Sequence, residues 1–362
     1  MNKKQIKLTF NNEHSFNEAG KHVRDGLSSS VLTGRNLWTC CDERSSLERL
    51  TLMEDGSFGE HKTFDLNQYI KLPAGTDCEV DVEGLAVEDN KFLWIVGSHS
   101  LARKKPKKKH APEKQIRRLT KIKDDPNRYI LARIPLQKDV ATSHYELCAS
   151  CPDTHDPSKT IHAAQLINSE KGNQLMEVFA KDDHFKNFMN IPGKDNGFDI
   201  EGLAIHKKQI FIGMRGPVLR GWAMIVEIQI EDVSDGYFHL KPDNQGKLYK
   251  KHFLHLEGMG IRDLRVKEEG LLILAGPTMD LDGTIAVYHW NQGLKQQTEA
   301  IVHRQELKRL FDVPHGSGET TGQDKAEGMA ILDNGHVLIV FDSPTLARKP
   351  DDASVLADLY PL

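Results

Sequence analysis

One pattern recurs along the chain and restricts it to repeat architectures: an acid, a glycine, an apolar-small-apolar run, a polar turn and a second β-rich run. It reads RDGLSSSVLTGRNLWTCCDE from Arg24, VEGLAVEDNKFLWIVGSHS from Val82, IEGLAIHKKQIFIGMRGP from Ile200 and AEGMAILDNGHVLIVFDSP from Ala326. A fifth copy, IRDLRVKEEGLLILAGP from Ile261, puts Arg262 where the others carry the acid and Asp263 where they carry glycine. Self-similarity of this kind marks stacked or radial arrays of one supersecondary unit. The competing reading is a β-sandwich in which the EG dipeptides recur by chance.

The turns between paired runs are short and rich in Asn, Asp and Gly, which is hairpin chemistry. Each unit therefore opens with a hairpin, and later β-rich runs extend it to a four-stranded meander. Successive motif positions lie 58, 118, 61 and 65 residues apart, and the chain ends close the cycle with a further 60. The sequence thus predicts an all-β, single-domain β-propeller over residues 1–362, its last blade completed by N- and C-terminal strands. The long interval holds a Lys-rich loop insertion at 101–127 and a helix-patterned insertion at 160–190. Removing both restores one period and gives five blades, with six as the alternative. Amphipathic helices are also expected near Phe185 and Leu307, capping one face.

In a hairpin, the start of the first strand and the end of the second lie together. Asp25, Glu83, Glu201 and Glu327 precede first strands, while Asp42, His99, Arg215, Asp280 and Asp342 follow second strands. All should meet at the mouth of the central channel, with Arg262 among them. Converging carboxylates either hold a cation or rise in pKa. The expected metal ligands are Glu83, Glu201, Glu327 and Asp25, around a divalent cation. The alternative for each glutamate is a structural bond to its neighbouring blade.

The string GMRGPVL at 213–219 resembles the GLRGPVL signature of a bacterial family known only as a domain of unknown function. More loosely, the EGLA units are similar to esterase-like phytases and other propeller hydrolases that hold calcium at the channel mouth. That second resemblance implies calcium and phosphoester or ester hydrolysis. Read chemically, GMRGPVLRG suits an anion-binding loop, with Arg215, Arg220 and Arg262 as substrate-binding residues. Arg215 paired with a motif acid is the alternative.

Other signals are local. RKKPKKKH from Arg103 is a solvated charge run or a polyanion contact, without the aromatic residues that single-strand stacking uses. Cys148, Cys151 and His155, with His144 or His162, stand at spacings that a separate zinc ion uses. A Ser98–His99–Asp342 triad lacks the nucleophile-elbow context. The net charge of −4 over 362 residues removes the general case for nucleic-acid binding. Five cysteines, two of them adjacent, read as reduced thiols. Nowhere do about 18 apolar residues run together, and no signal-peptide run follows the basic start, so a cytoplasmic chain with no membrane partner is expected.

Two functions from different classes follow. One is a metal-dependent hydrolase of a phosphorylated or otherwise anionic small molecule, with His99 as general acid or base and Arg215 and Arg262 on the anion. The other is a non-enzymatic scaffold that grips a protein partner or polyanion through its basic insertion.

Overall fold

The computed structural model describes residues 3–17, 19–75, 79–169, 172–234 and 236–362. Runs such as FLWIVG, LLILAG and HVLIVF form strands buried along nearly their whole length. They are continuously apolar because each sheet is covered on both faces, so no alternation is required.

The strands pair into five antiparallel units. The first contains Leu27–Thr33, Asn36–Cys41, Ser46–Leu52 and Phe58–Asp65. The second contains Val82–Glu88, Phe92–Gly97, Leu131–Lys138 and Ala164–Leu166. In the third, Asp199–His206, Gln209–Gly216, Trp222–Ile228 and Tyr249–His255 follow one another. The fourth runs through Gly260–Lys267, Gly270–Gly276, Ile285–Trp290 and Lys308–Val313. The fifth takes Lys325–Ile331, His336–Asp342 and Ser354–Pro361 and adds the N-terminal Lys4–Thr9. The chain ends therefore meet in one sheet, as the sequence predicts.

The first strands of the units touch in a closed cycle: first to second, second to third, third to fourth, fourth to fifth, fifth to first. Apolar clusters fill the spaces between successive sheets; one of them holds both Trp94 of the second unit and Ile212 of the third. This is a propeller-like, mostly β fold. Among the described residues no helix is long and apolar enough to cross a membrane.

Every first strand carries a register shift at the same place, between Leu27 and Ser29, Val82 and Gly84, Ile200 and Gly202, Ile261 and Asp263, and Ala326 and Gly328. The extra residues are Ser28, Glu83, Glu201, Arg262 and Glu327. A bulge of this kind leaves one residue out of the ladder and re-aims its side chain. The bulge overturns the expected place of Asp25. That residue sits in a 3-10 turn, Val23–Asp25, ahead of the strand, and pairs with Lys349 at 2.8 Å. Ser28 occupies its ring position and donates to the Val82 carbonyl at 2.7 Å.

The glycine after the bulge is a matter of space. A Cβ on Gly328 would lie 2.6 Å from the Ser29 Cα of the neighbouring unit, and one on Gly84 would lie 2.9 Å from the Leu203 Cβ. Because backbone blocks Gly328, Gly328→Ala should destabilise the fold by about 3 kcal/mol, the upper end of overpacking costs. Chemical denaturation measures this, and an unchanged midpoint would contradict it.

The insertions differ from expectation. Within 101–127 the chain forms a two-stranded pair, Ala102–Arg103 with Ile122–Lys123, and a helix, Pro112–Leu119. The 160–190 stretch is not chiefly helical: it holds the short strands Thr160–His162 and Ala164–Leu166 and one helix, Gln174–Phe179, while 170–171 lie outside the described residues. The helix expected near Leu307 is the strand Lys308–Val313, and the segment after Phe185 is a series of turns. Short apolar runs do not distinguish helix from strand, and the fourth unit needs an outer strand at that point.

Candidate functional site

The bulges bring Glu201, Arg262 and Glu327 together on three consecutive first strands, and the end of the strand Gln209–Gly216 adds Arg215. Arg215 donates through Nη1 to Glu201 Oε1 and through Nε to the Thr278 carbonyl at 3.0 Å. Arg262 donates through Nη1 to Glu327 Oε2 and through Nη2 to the Pro277 carbonyl at 3.0 Å. The same Nη1 lies 3.5 Å from Glu201 Oε2. Arg215, Glu201 and Arg262 are buried, so this is an alternating chain of two guanidinium and two carboxylate groups. Arg262 separates two acids that would otherwise repel each other. Burial, with Glu327 and Asp199 adding, pushes the Glu201 carboxyl up to about 7 against the pull of Arg215 and Arg262. For Glu327, burial is outweighed by Arg262 and Arg215, which hold its carboxyl below the usual range.

Glu83 is placed differently. It is half-buried, and among the described residues it makes no hydrogen bond or ion pair. It lines a cavity of about 360 Å³ at the channel mouth. Burial raises its carboxyl well above the ordinary value, reinforced by Asp81, Glu201, Asp42 and Glu327. Asp42, at the end of a second strand, lines the same cavity. Its carboxyl is pushed up to about 7 by burial and by Asp342 and Asp81, against Lys21 and Lys194. Asp81 is committed to Arg128 at 3.1 Å. Burial also raises Glu79 and Asp199 in the same lining, so several of the cavity's carboxyl groups are held above their ordinary range.

The lining also carries basic groups. The insertion contributes the wall from Leu101 to Pro106, together with Leu119. Lys104 and Lys194 line the cavity and form no ion pair among the described residues. The Lys194 ammonium is depressed by desolvation and Arg215, yet Glu327, Glu83 and Asp42 together keep it above its ordinary value. Asp280, also at the wall, is shared by Lys325 at 2.7 Å and Lys105 at 3.4 Å. The sequence reading did not single out Asp81, Asp199 or Lys194. The DVEG and DIEG strings, with an acid two residues before each motif glutamate, are the signal for the first two.

Several expected site residues lie elsewhere. His99 is a core residue at 1% exposure: its Nδ1 pairs with the Gly97 carbonyl and its Nε2 with Asn173 Nδ2, each at 2.8 Å. Burial lowers its pKa to about 4, so it stays neutral and does not face the cavity as an acid or base. Arg215 and Arg262 donate to Glu201, Glu327 and two carbonyls, while Arg262 Nε is buried without a partner among the described residues. Arg220 is exposed in a turn closed by the Leu219–Trp222 bridge, away from the cavity lining. The glycines of GMRGPVL serve packing: a Cβ on Gly213 would meet Ile261 Cγ2 at 2.6 Å, and one on Gly216 the Gly197 oxygen at 2.3 Å.

Neither expected metal set is assembled. Among the described residues no three His, Cys, Asp or Glu side chains are arranged to hold a metal ion. At the mouth the reason is chemical: Glu201 and Glu327 turn to guanidinium groups and Asp25 to Lys349, which leaves only Glu83 of the expected four free. The donor set does not fit a divalent cation such as calcium. At the zinc candidate, Cys148 Sγ reaches Gln137 Oε1 at 3.3 Å, Cys151 is buried in a strand, and the His155 amide caps Asp153. Burial pushes the Cys148 thiol up to about 11, with Cys151 adding.

Solved structures with similar backbones include glutaminyl cyclase of Myxococcus xanthus, at 10% identity and a TM-score of 0.40, covering 99% of this chain and 97% of that one. PQQ-bound aldose sugar dehydrogenase of Streptomyces coelicolor is similar at 10% identity and a TM-score of 0.38, covering 99% of each chain. Regucalcin of Agrobacterium tumefaciens, a calcium-binding protein, is similar at 11% identity and a TM-score of 0.34, over 94% of this chain and 92% of that one. Similarity at this level leaves substrate and chemistry to the chain's own residues. No curated protein matches the chain. The sequence model of a family described as "Protein of unknown function (DUF3616)" matches residues 26–358, nearly the whole run of strands that builds the mouth, and the chain belongs to that family.

Proposed function

We propose that the protein is a five-bladed propeller, one blade per antiparallel unit, whose mouth hydrolyses a small molecule bearing an anionic group. The observation that carries this reading is Glu83: an unpaired carboxyl, raised in pKa, at the edge of a cavity of about 360 Å³. Glu83 and Asp42 are both raised toward the range in which a carboxyl group can donate or accept a proton in general acid and base catalysis. Glu83 is the acid, protonated until well above its ordinary range, and donates to the leaving group. Asp42, near 7, takes the proton from the attacking water. Lys104 and Lys194, free of ion pairs, hold the anionic group of the substrate. The Glu201–Arg215 and Arg262–Glu327 pairs hold the strands in register beneath the site. No step is routed through a metal, because two of the glutamates expected to hold one, Glu201 and Glu327, are paired with guanidinium groups.

The test is turnover of a panel of phosphate monoesters, sugar lactones and carboxylate esters by the purified chain. Hydrolysis of one class, competed by inorganic phosphate or a simple carboxylate, is expected; no turnover across the panel overturns the reading. The pH dependence follows from the two directions of shift. Asp42 acts as a base only when ionised, so the rate rises through an apparent pKa near 7. Glu83 acts as an acid only when protonated, so the rate falls again as pH rises through its raised pKa. Asp42→Asn should remove the acidic limb of kcat/KM, and a pH-independent rate from 5 to 9 would contradict the assignment.

A further inference from the structure

The insertion at the mouth concentrates charge of one sign. Residues 102–123 carry eight lysines and three arginines against the single acid Glu113, a net charge of +10 in a chain of −4, so the remainder holds −14. The insertion is held in place. Arg103 pairs with Asp195 at 2.6 Å and donates to the Leu119 carbonyl at 2.6 Å, while Arg118 donates to the Lys105 carbonyl at 2.6 Å. These bonds leave Lys107, Lys108, Lys109, Lys114, Arg117 and Lys121 exposed and without an ion pair among the described residues.

Apolar side chains are exposed on the same insertion. Helix Pro112–Leu119 buries none of its residues. Ile116 is 67% exposed, and Leu119 and Ile122 are each 45% exposed. Exposed aliphatics beside a dense cationic patch need a partner with both negative charge and an apolar interior. A nucleic acid uses the charge alone or stacks on aromatic rings, and 102–123 contains no Phe, Tyr or Trp. A bilayer with anionic headgroups uses both.

We infer that the insertion docks the protein onto an anionic lipid surface, with the lysines on the headgroup phosphates and Ile116 and Ile122 entering the acyl boundary. Attachment is peripheral: among the described residues no helix is long and apolar enough to cross a membrane. The acidic remainder of the chain is repelled by the same surface, which orients the molecule insertion-first.

Co-sedimentation of the full chain with phosphatidylglycerol–phosphatidylcholine vesicles, against pure phosphatidylcholine vesicles, tests this at physiological salt. Binding to the anionic vesicles alone is expected. Lys107→Glu, Lys108→Glu and Lys109→Glu combined should weaken it by about tenfold or more. Ile116→Ser with Ile122→Ser should weaken it by roughly threefold to tenfold with the charge unchanged. All five positions are exposed, and circular dichroism checks that the variants remain folded. The inference is overturned if anionic vesicles fail to sediment the chain, or if the serine variant binds them as the parent does. Duplex DNA bound as tightly as the vesicles, with the serine variant unaltered, also overturns it in favour of a polyanion contact by charge alone.

Discussion

Arg265→Ala is expected to destabilise the fold by about 3–5 kcal/mol, the cost of leaving a buried charge without its partner. Arg265 is 5% exposed and lies on the first strand of the fourth unit, three residues after the bulge. Its Nη1 reaches Asp263 Oδ1 at 2.7 Å and the Leu203 carbonyl of the third unit at 3.4 Å. Nε donates to the Ser30 carbonyl of the first unit at 3.1 Å, and Nη2 to Ser29 Oγ at 3.1 Å. Asp263, fully buried, also accepts from the Met329 amide of the fifth unit at 2.8 Å. This pair ties four units together below the mouth. Alone, the Asp263 carboxylate would have lost its countercharge, although burial already pushes it up to about 7.

A carboxyl whose folded pKa exceeds its unfolded one is destabilising when ionised, and the penalty grows as pH rises between the two values. The deficit of Arg265→Ala measured by urea denaturation should therefore be smaller at pH 5 than at pH 8. Combining Arg265→Met with Asp263→Asn removes both charges and should recover part of the loss. A deficit under about 1 kcal/mol at pH 8 would show that the pair does not brace the ring.

The second large effect separates chemistry from architecture. Glu83→Gln should lower kcat on a hydrolysed substrate by about 10²–10⁴-fold, the range for loss of a general acid, while the fold keeps its stability. Glu83 has no partner among the described residues, so the amide removes a proton donor and strands no countercharge. Glu201→Ala should do the reverse. It leaves Arg215 buried without its closest carboxylate and should cost about 3–5 kcal/mol of stability. If both substitutions lower stability equally, Glu83 is structural and the catalytic assignment fails. If Glu83→Gln retains full turnover, the acid lies elsewhere in the cavity.

The repeat was readable because its signals are local. A polar turn between two apolar runs makes a hairpin wherever it occurs, and a pattern repeated along the chain must be repeated in space. Pairing of the chain ends followed from the same period and is seen between Lys4–Thr9 and Ser354–Pro361. The convergence of Glu201, Arg262 and Glu327 was also legible, since the ends of a hairpin lie together whatever surrounds them.

What each of those residues does was not legible, because it is set by neighbours from other units. Glu83 and Glu201 sit in the same EGLA string, yet Arg215 and Arg262 reach one and not the other, and only the free one faces the cavity. Asp25 matched the motif in letters, but the bulge places Ser28 in the ring, since register is fixed by cross-strand pairing and not by resemblance. His99 follows a second strand as expected, but burial against Asn173 removes it from the chemistry. Sequence alone determined where the repeated hairpins form and in what order they meet, because backbone pairing and apolar burial repeat with the chain, but not which segments supply outer strands such as Lys308–Val313. Only the tertiary structure decided which charges are paired, buried or free, because charge interactions depend on distance and dielectric across the ring, and these come from residues far apart in the sequence.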